Sequence, residues 1–239
     1  LLDASAPHDS VLAGCHAFLS GLAPNHCTRH FSDRFDHEKL QIQIGDARKT
    51  IAERVWRAEG LSGLRRLAAI EHVDADSVGR AAASEENVQI DLDEVVPLLT
   101  STASSDQSFA NGYISVWAWN RKDSLSAEVL PLLEALASDE SKANFLGCLP
   151  LVAAIWDCVD TQDEAVQQLY WKNAAVPWEV PKGRLSYFVG NLNRFGGADR
   201  AIDLLVRERE KLTDGDANLI FEALEALPLA EPRNPDSPR

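Results

Sequence analysis

The sequence lacks the features that mark membrane and secreted proteins. No apolar stretch approaches the roughly 20 residues of a membrane-spanning helix; the longest, from Cys148 to Trp156, is about half that length and contains Pro150. Four cysteines in 239 residues do not form a disulfide framework. No basic segment followed by an apolar block marks a signal peptide. We therefore expect a soluble, cytoplasmic protein with no membrane partner.

Methionine is absent as well, including at the first position, which is Leu1. Two explanations remain open. Either the chain is a methionine-free segment of a longer bacterial polypeptide, or methionines are missing from the sequence and some residue spacings are one too short.

Basic residues are scarce relative to acidic ones. The chain has 23 lysines and arginines against 37 aspartates and glutamates, which gives a net charge of −14. An excess of negative charge repels phosphate backbones, so we expect no nucleic-acid partner. Two groups of basic residues, within 48–66 and 194–211, are interleaved with acidic residues. This interleaving predicts helix faces that are exposed to solvent and linked by salt bridges.

Strand signals are nearly absent, whereas helical periodicity is widespread. Asn111-Gly112, a dipeptide typical of hairpin turns, lies inside a helical pattern instead. Apolar residues recur at spacings of three and four, as in Leu125, Val129 and Leu133. Short turns, such as the one at Gly196-Gly197, separate these segments. The pattern predicts about eleven or twelve helices of about 10 to 17 residues.

These helices predict an all-α fold. Short loops between successive helices make neighbours antiparallel, and a long series of such pairs usually stacks as an α-solenoid. Because no fixed repeat period is found, we predict an irregular α-solenoid. We assign residues 1–227 to one helical-repeat domain, with a possible sub-boundary near 101–106. Residues 228–239 are rich in proline and predict a disordered tail.

The C-terminal third resembles a known kind of helical repeat. The resemblance rests on Ile155-Trp156-Asp157, Gln168-Leu169-Tyr170-Trp171-Lys172, Asn191-Leu192-Asn193-Arg194 and the stretch from Ala198 to Leu205. It extends upstream to the stretches 47–68, 77–81 and 108–114, so that it covers most of the chain. This pattern resembles the HEAT- or tetratricopeptide-like region of very large, mostly uncharacterised bacterial multidomain proteins. In such proteins an enzymatic module usually lies elsewhere, and the helical array senses or docks a partner. The resemblance therefore implies a docking or sensing role.

The aromatic residues are the main candidates for binding a partner. Trp117 and Trp119 are two positions apart and diverge by about 160° on a helix, and Tyr170 and Trp171 diverge by about 100°. One member of each pair should therefore lie near the surface, where tryptophan and tyrosine are typical binding anchors. We predict contacts at Trp119, Tyr170, Trp171 and Trp178. The alternative is that stacked helices bury both faces of a middle layer.

A concentration of histidine and cysteine near the N-terminus is the candidate metal site. Cys15, His26, Cys27 and His30 are the possible ligands, and His26 and His30 would share a helix face. However, no paired-ligand spacing such as CxxC or HExxH occurs. The alternative is a set of ordinary surface and core residues, with Cys15 facing inward. We expect no cofactor.

Signals for catalysis are weak. The sequence has no Gly-x-Ser-x-Gly nucleophile elbow and no phosphate-binding loop. Cys148 and Cys158 lie among apolar residues, which indicates buried, unreactive thiols. Acidic pairs such as Glu85-Glu86 and the neighbouring Asp91 and Asp93 lie where helices begin, where negative charge favours the helix dipole. The sequence therefore predicts no enzyme.

Together these features favour a non-catalytic module of a larger bacterial protein. We expect it to bind or sense another protein, or a neighbouring domain of the same polypeptide. The alternative is a helical metal-binding domain or enzyme that uses the N-terminal histidine and cysteine group. A third possibility is a structural spacer without a binding role.

Overall fold

The computed structural model describes residues 9, 11–12, 15–18, 37–121, 124–173, 175–176, 180–181, 183–212 and 217–225. All regular structure in these residues is helical, and they contain no strand, which confirms the predicted all-α fold. None of the helices they form combines the length and the apolar content needed to cross a membrane. The predicted tail, residues 228–239, lies outside the described residues.

The chain divides into two compact units, Leu1–Ile155 and Trp156–Arg239. The first unit contains α1 (His37–Ala68), α2 (Ala75–Ala83), α3 (Leu92–Val95), α4 (Ser104–Asn120), α5 (Leu125–Ala135) and α6 (Asp139–Cys148), with 3-10 turns at Cys15–Phe18 and Val96–Thr100. The division falls within α7 (Ala153–Asp160). The second unit continues with α8 (Glu164–Asn173), α9 (Leu185–Asn191), a π-helix (Leu192–Gly196), α10 (Ala198–Arg207), a 3-10 turn (Arg209–Lys211) and α11 (Ala217–Glu225).

The predicted helix lengths are wrong at both extremes. The helix α1 has 32 residues, whereas α3 has 4 and α9 has 7. Inside α1, Gly60 has a φ of 62° and a ψ of −150°, so the chain runs as two successive helices that meet at this residue. Glycine adopts this conformation readily because it has no Cβ. The long helix therefore contains a sharp break at the glycine.

The predicted single domain over 1–227, with a possible sub-boundary near 101–106, stays a prediction. Contacts within the structure group the chain into two compact units that divide after Ile155. The segment 101–106 lies inside the first unit because it is bound to α1. The Asp106 carboxylate, only 6% exposed, accepts hydrogen bonds from Arg65 Nε at 2.9 Å and from Arg65 Nη2 at 2.7 Å. The Ser101 hydroxyl donates a further bond to Asp106 Oδ2 at 2.9 Å.

The helices α2 and α4 cross in direct backbone contact at two glycines. A Cβ added to Gly79 on α2 would lie 2.0 Å from the Phe109 carbonyl oxygen on α4. A Cβ added to Gly112 on α4 would lie 2.1 Å from the Asp76 carbonyl oxygen on α2. Residues without a side chain are therefore required on both sides of the crossing.

Apolar stripes form the interior of the first unit as the periodicity predicts. On α5, Leu125, Val129 and Leu133 are 1%, 0% and 1% exposed, so the predicted stripe is confirmed. Burial of such side chains contributes about 1.5–3 kcal/mol each to folding. The predicted surface salt bridges are confirmed on α1, where Arg57 pairs with Glu53 at 2.5 Å. In the second unit Arg194 pairs at 2.8 Å with Glu164, an acidic residue outside the predicted group.

Replacing Asp106 by alanine is expected to lower the free energy of unfolding by about 2–3 kcal/mol, because charge-assisted hydrogen bonds to a buried carboxylate are lost. Arg65 is 45% exposed in side chain and can still reach water, which limits the loss. Chemical denaturation followed by circular dichroism measures the effect. The control is Glu164→Ala, which removes an exposed ion pair and should cost less than about 1 kcal/mol.

The contribution of Asp106 should depend on pH. Hydrogen bonds from Arg65 hold the pKa of the Asp106 carboxyl below its ordinary value. The stabilisation is therefore fully present above the carboxyl pKa of the unfolded chain, about 4, and is lost as the pH falls through the folded-state pKa. The difference in unfolding free energy between the parent and Asp106→Ala should shrink as the solution is acidified below about pH 4. A difference that stays constant would contradict this assignment.

Candidate functional site

The first unit contains an open groove with a volume of about 1240 Å³. Its walls are formed by the C-terminal end of α2, the loop 84–91, the first residues of α3, the C-terminal half of α4 and the outer face of α5. The groove is larger than typical small-molecule pockets, which have volumes of about 300–1,000 Å³. It is therefore large enough to receive a segment of polypeptide.

Two aromatic side chains of α4 line the groove and fix one of its walls. Tyr113 is buried, and its hydroxyl donates a hydrogen bond to the Ile90 carbonyl at 3.0 Å, which attaches the loop 84–91 to α4. Burial raises the pKa of the Tyr113 hydroxyl, so it remains a neutral donor at physiological pH. Trp117 lies one helical turn further along α4 and is 9% exposed. The groove therefore has a fixed aromatic wall.

The groove is lined mainly by negative charge. Five carboxylates contribute to its lining, those of Glu85, Glu86, Asp91, Asp93 and Glu128. Glu86, Asp91 and Asp93 are exposed, and in the described part of the chain none of the three has a cationic partner. Asp91 occupies the N-cap position of α3 without a side-chain capping bond, and Asp93 belongs to its first turn. The prediction that acidic pairs lie at helix starts therefore applies to these two residues, whereas Glu85 and Glu86 follow the end of α2.

One cation, the Arg121 guanidinium, lies in this acidic lining. Its central carbon is 5.1 Å from the centroid of the Trp117 ring, the geometry of a cation–π contact. Its Nε is 3.2 Å from a Glu128 carboxylate oxygen. The Ser124 hydroxyl donates to the other Glu128 oxygen at 2.6 Å, which holds that carboxylate in place. An aromatic face and a carboxylate thus bind a guanidinium together at one side of the groove.

The predicted divergence of Trp117 and Trp119 is confirmed. Trp117 is 9% exposed and lines the groove, whereas Trp119 is 63% exposed on another face of α4. Trp119 is the predicted contact residue that the structure places on the surface. Trp178, another predicted contact, lies outside the described residues.

The expectation that one of Tyr170 and Trp171 lies near the surface is wrong, because both side chains lie in the interior of the second unit. Tyr170 is 2% exposed and Trp171 is 1% exposed. Trp171 has its ring centroid 5.3 Å from that of Tyr170 and 5.7 Å from those of Tyr187 and Phe188. The alternative reading applies: neighbouring helices cover α8 on more than one side, and the two diverging side chains are both buried.

Polar groups around this aromatic cluster of Trp156, Tyr170, Trp171, Tyr187 and Phe188 stabilise it. The Tyr187 hydroxyl donates to Asp160 at 2.9 Å, and Arg200 donates to the carbonyls of Trp171 at 2.6 Å and Lys172 at 3.0 Å. Burial raises the pKa of Tyr170 to about 12, so this hydroxyl stays neutral. The cluster is accordingly a structural core of the second unit.

The candidate metal ligands fall largely outside the described residues, which include Cys15 but not His26, Cys27 or His30. Cys15 is partly buried, and its Sγ donates to the Leu12 carbonyl at 3.2 Å. Within the described ranges, no group of three or more histidine, cysteine or acidic side chains could hold a metal ion. The N-terminal metal site remains a prediction.

The two remaining described cysteines have the properties of buried thiols. Burial raises the pKa of Cys148 to about 12, and its Sγ donates to the Asn144 carbonyl at 3.1 Å. Cys158 is 4% exposed, and burial raises its pKa as well. Because the thiolate is the nucleophile, neither residue is activated for catalysis.

Sequence reasoning did not identify the groove. Glu85, Glu86, Asp91 and Asp93 were interpreted only as residues at helix starts, and Arg121 was not singled out. These residues and Trp117 line one groove only because α2, α4 and α5 pack together, and the sequence does not show that packing. The available local signal was the sequence from Trp117 to Arg121, because residues four apart share a helix face and an arginine can then cover a tryptophan ring.

Comparisons with protein-family models, with curated proteins and with solved structures give no significant match for this chain. The resemblance to the helical-repeat region of large bacterial proteins therefore stays a prediction. The functional assignment depends on the groove and on its chemistry.

Proposed function

We propose that this chain is a non-catalytic interaction module that receives a segment of another protein, or of a neighbouring domain of the same polypeptide, in the groove of the first unit. The observation that carries the proposal is the groove itself, which combines a volume of about 1240 Å³ with the aromatic wall formed by Tyr113 and Trp117 and with exposed carboxylates. An α-solenoid, if the chain forms one, would present such a groove on one face.

The lining of the groove suits a peptide segment. Pro131 and Leu132 on α5 and Leu92 on α3 give apolar surface, and Asn120 and Gln89 add amide groups that both donate and accept hydrogen bonds. Protein interfaces typically combine an apolar centre containing aromatic residues with a polar rim. The groove has these two kinds of surface side by side.

Trp119 is proposed as a second contact of the same module. Its side chain is 63% exposed near the C-terminal end of α4, the helix that also supplies Trp117 to the groove. Tryptophan is enriched among residues whose truncation weakens protein–protein complexes most. A partner that extends beyond the groove along α4 would cover it.

Neutralising two groove carboxylates should weaken partner binding. The test variant is Asp91→Asn/Asp93→Asn, at the start of α3, and binding should fall about fivefold because each exposed charge contributes up to about 1 kcal/mol. The matched control is Asp139→Asn/Glu140→Gln, which removes two acidic side chains from the first turn of α6, outside the groove lining. Affinity capture from native bacterial lysate, with the parent and both variants as bait, gives the comparison.

The proposal predicts a partner that the parent and the α6 control retain and the α3 variant loses. Equal retention by all three baits would contradict binding in the groove. If Trp119→Ser also loses the partner, the contact extends along α4. Circular dichroism should show the same helical signal for every bait, since all substituted side chains are exposed.

A further inference from the structure

The groove also indicates what kind of segment it binds, an inference that rests on the proposed function. We propose that the partner segment is a cationic peptide whose arginine or lysine side chains enter the groove, and that Arg121 occupies the place of one such side chain in the free chain. Arg121 would then act as an internal competitor for the incoming cation.

Charge complementarity is the first argument. The lining holds five carboxylates against one guanidinium, and Glu86, Asp91 and Asp93 are exposed without a cationic partner in the described part of the chain. Carboxylates that face a common groove raise its negative potential and attract cations. An acidic peptide or a phosphate-bearing ligand would meet net repulsion there.

The environment of Arg121 is the second argument, because it shows how this lining binds a guanidinium. The cation lies over the Trp117 ring at 5.1 Å and beside Glu128 at 3.2 Å. Aromatic faces and carboxylates are two of the groups that recognise arginine in proteins. Arg121 is 44% exposed and Glu128 is 39% exposed in side chain, so this pair is accessible from solvent and can be exchanged.

The apolar part of the lining favours a peptide over a small polyamine. Leu92, Pro131 and Leu132 border the same groove as the carboxylates. A polyamine would satisfy the charges but offers this surface only short methylene chains, whereas a peptide can place whole apolar side chains between its basic residues. We therefore assign the groove to a basic segment with interspersed apolar residues.

Replacing Arg121 by glutamine tests whether Arg121 competes with a cationic partner or itself binds an anionic one. If Arg121 competes with the partner, Arg121→Gln frees the Trp117 face and Glu128 and removes the positive charge. Affinity for a cationic peptide should then rise about three- to tenfold, the combined effect expected for an exposed ion pair and a cation–π contact. If Arg121 instead binds an anionic ligand, the same substitution weakens binding.

The experiment is selection from a random peptide library on the intact chain, with counter-selection against Asp91→Asn/Asp93→Asn. The enriched peptides are then titrated by fluorescence anisotropy into the parent, Arg121→Gln and the α6 control, at low and high salt. We expect sequences rich in arginine or lysine, tighter binding to Arg121→Gln, unchanged binding to the α6 control, and affinity that falls as salt screens the charges.

Groove-dependent peptides that lack basic residues, or weaker binding to Arg121→Gln, would overturn the cationic assignment and leave the docking function standing. Displacement of the selected peptide by spermidine at equal concentration would overturn the peptide assignment in favour of a polyamine. A selection that yields no peptide sensitive to Asp91→Asn/Asp93→Asn would overturn both the cationic assignment and the groove as a docking site.

Discussion

Replacing Gly112 by alanine is expected to destabilise the first unit by about 3 kcal/mol or more, although alanine is the better helix former by about 1 kcal/mol. The new Cβ would lie 2.1 Å from the Asp76 carbonyl oxygen, far inside van der Waals contact. Urea denaturation followed by far-ultraviolet circular dichroism measures the change. Gly79→Ala should have a similar effect, because its Cβ would lie 2.0 Å from the Phe109 carbonyl oxygen.

The size of this effect follows from what the new methyl group meets. Both obstructing atoms belong to helix backbone, and a carbonyl within a helix cannot rotate away as a flexible side chain can. Relief therefore requires α2 and α4 to separate, which would loosen the contacts of buried residues such as Val78 and Phe109, each 0% exposed. Overpacking of this kind typically costs about 1–3 kcal/mol and occasionally more, and a collision with helix backbone lies at the upper end of that range.

Gly147→Ala is the matched control. Gly147 also lies inside a helix, α6, but nothing approaches within 4 Å of the Cβ that alanine would add. This substitution should stabilise the protein by about 0.5–1 kcal/mol through helix propensity and the unfolded-state entropy of glycine. The two glycine substitutions therefore have opposite expected signs. A Gly112→Ala variant as stable as Gly147→Ala would show that α2 and α4 do not cross at these residues.

The contrast between these glycines shows which parts of the fold the sequence could predict. Helical periodicity identified α5 through Leu125, Val129 and Leu133, because that signal depends only on neighbours along one helix. Gly112 was correctly placed inside a helix. The role of Gly112 in the helix crossing could not be predicted, because the sequence of α4 carries no signal that it packs against α2.

Long-range pairing also determines the unit to which the segment 101–106 belongs. Asp106 and Arg65 are 41 positions apart, and their ion pair places the segment 101–106 within the first unit. The composition of that segment, with serine, threonine and alanine, resembles a linker. The single buried carboxylate that connects it to α1 has no local signature.

Tertiary packing also decides which of the predicted contact residues are exposed. The prediction that only one of Trp117 and Trp119 is exposed is correct, because α4 is covered by other helices on one side and open to solvent on the other. For Tyr170 and Trp171 the same reasoning failed because α9 and the π-helix add aromatic and aliphatic side chains around α8. Trp171 is surrounded by Tyr170, Tyr187 and Phe188 at centroid distances of 5.3 Å, 5.7 Å and 5.7 Å.

Replacing Trp171 by alanine is therefore expected to lower the free energy of unfolding by about 3–5 kcal/mol, the range for truncating a buried aromatic side chain to alanine. The ring is 1% exposed, and edge-to-face contacts with its aromatic neighbours add to the loss. Thermal denaturation followed by near-ultraviolet circular dichroism reports the effect directly, since that signal arises from packed aromatic rings.

Trp119→Ala is the control for Trp171→Ala, because it removes the same side chain from a position that is 63% exposed. Its effect on stability should stay within about 0.5 kcal/mol, as is usual for surface substitutions. The pair separates a core role from a binding role. If Trp171→Ala kept the parent stability and lost a partner, Trp171 would be a contact residue after all. If Trp171→Ala unfolds the second unit while Trp119→Ala weakens only binding, the binding surface includes α4. The aromatic cluster around Trp171 is then the structural core of the second unit.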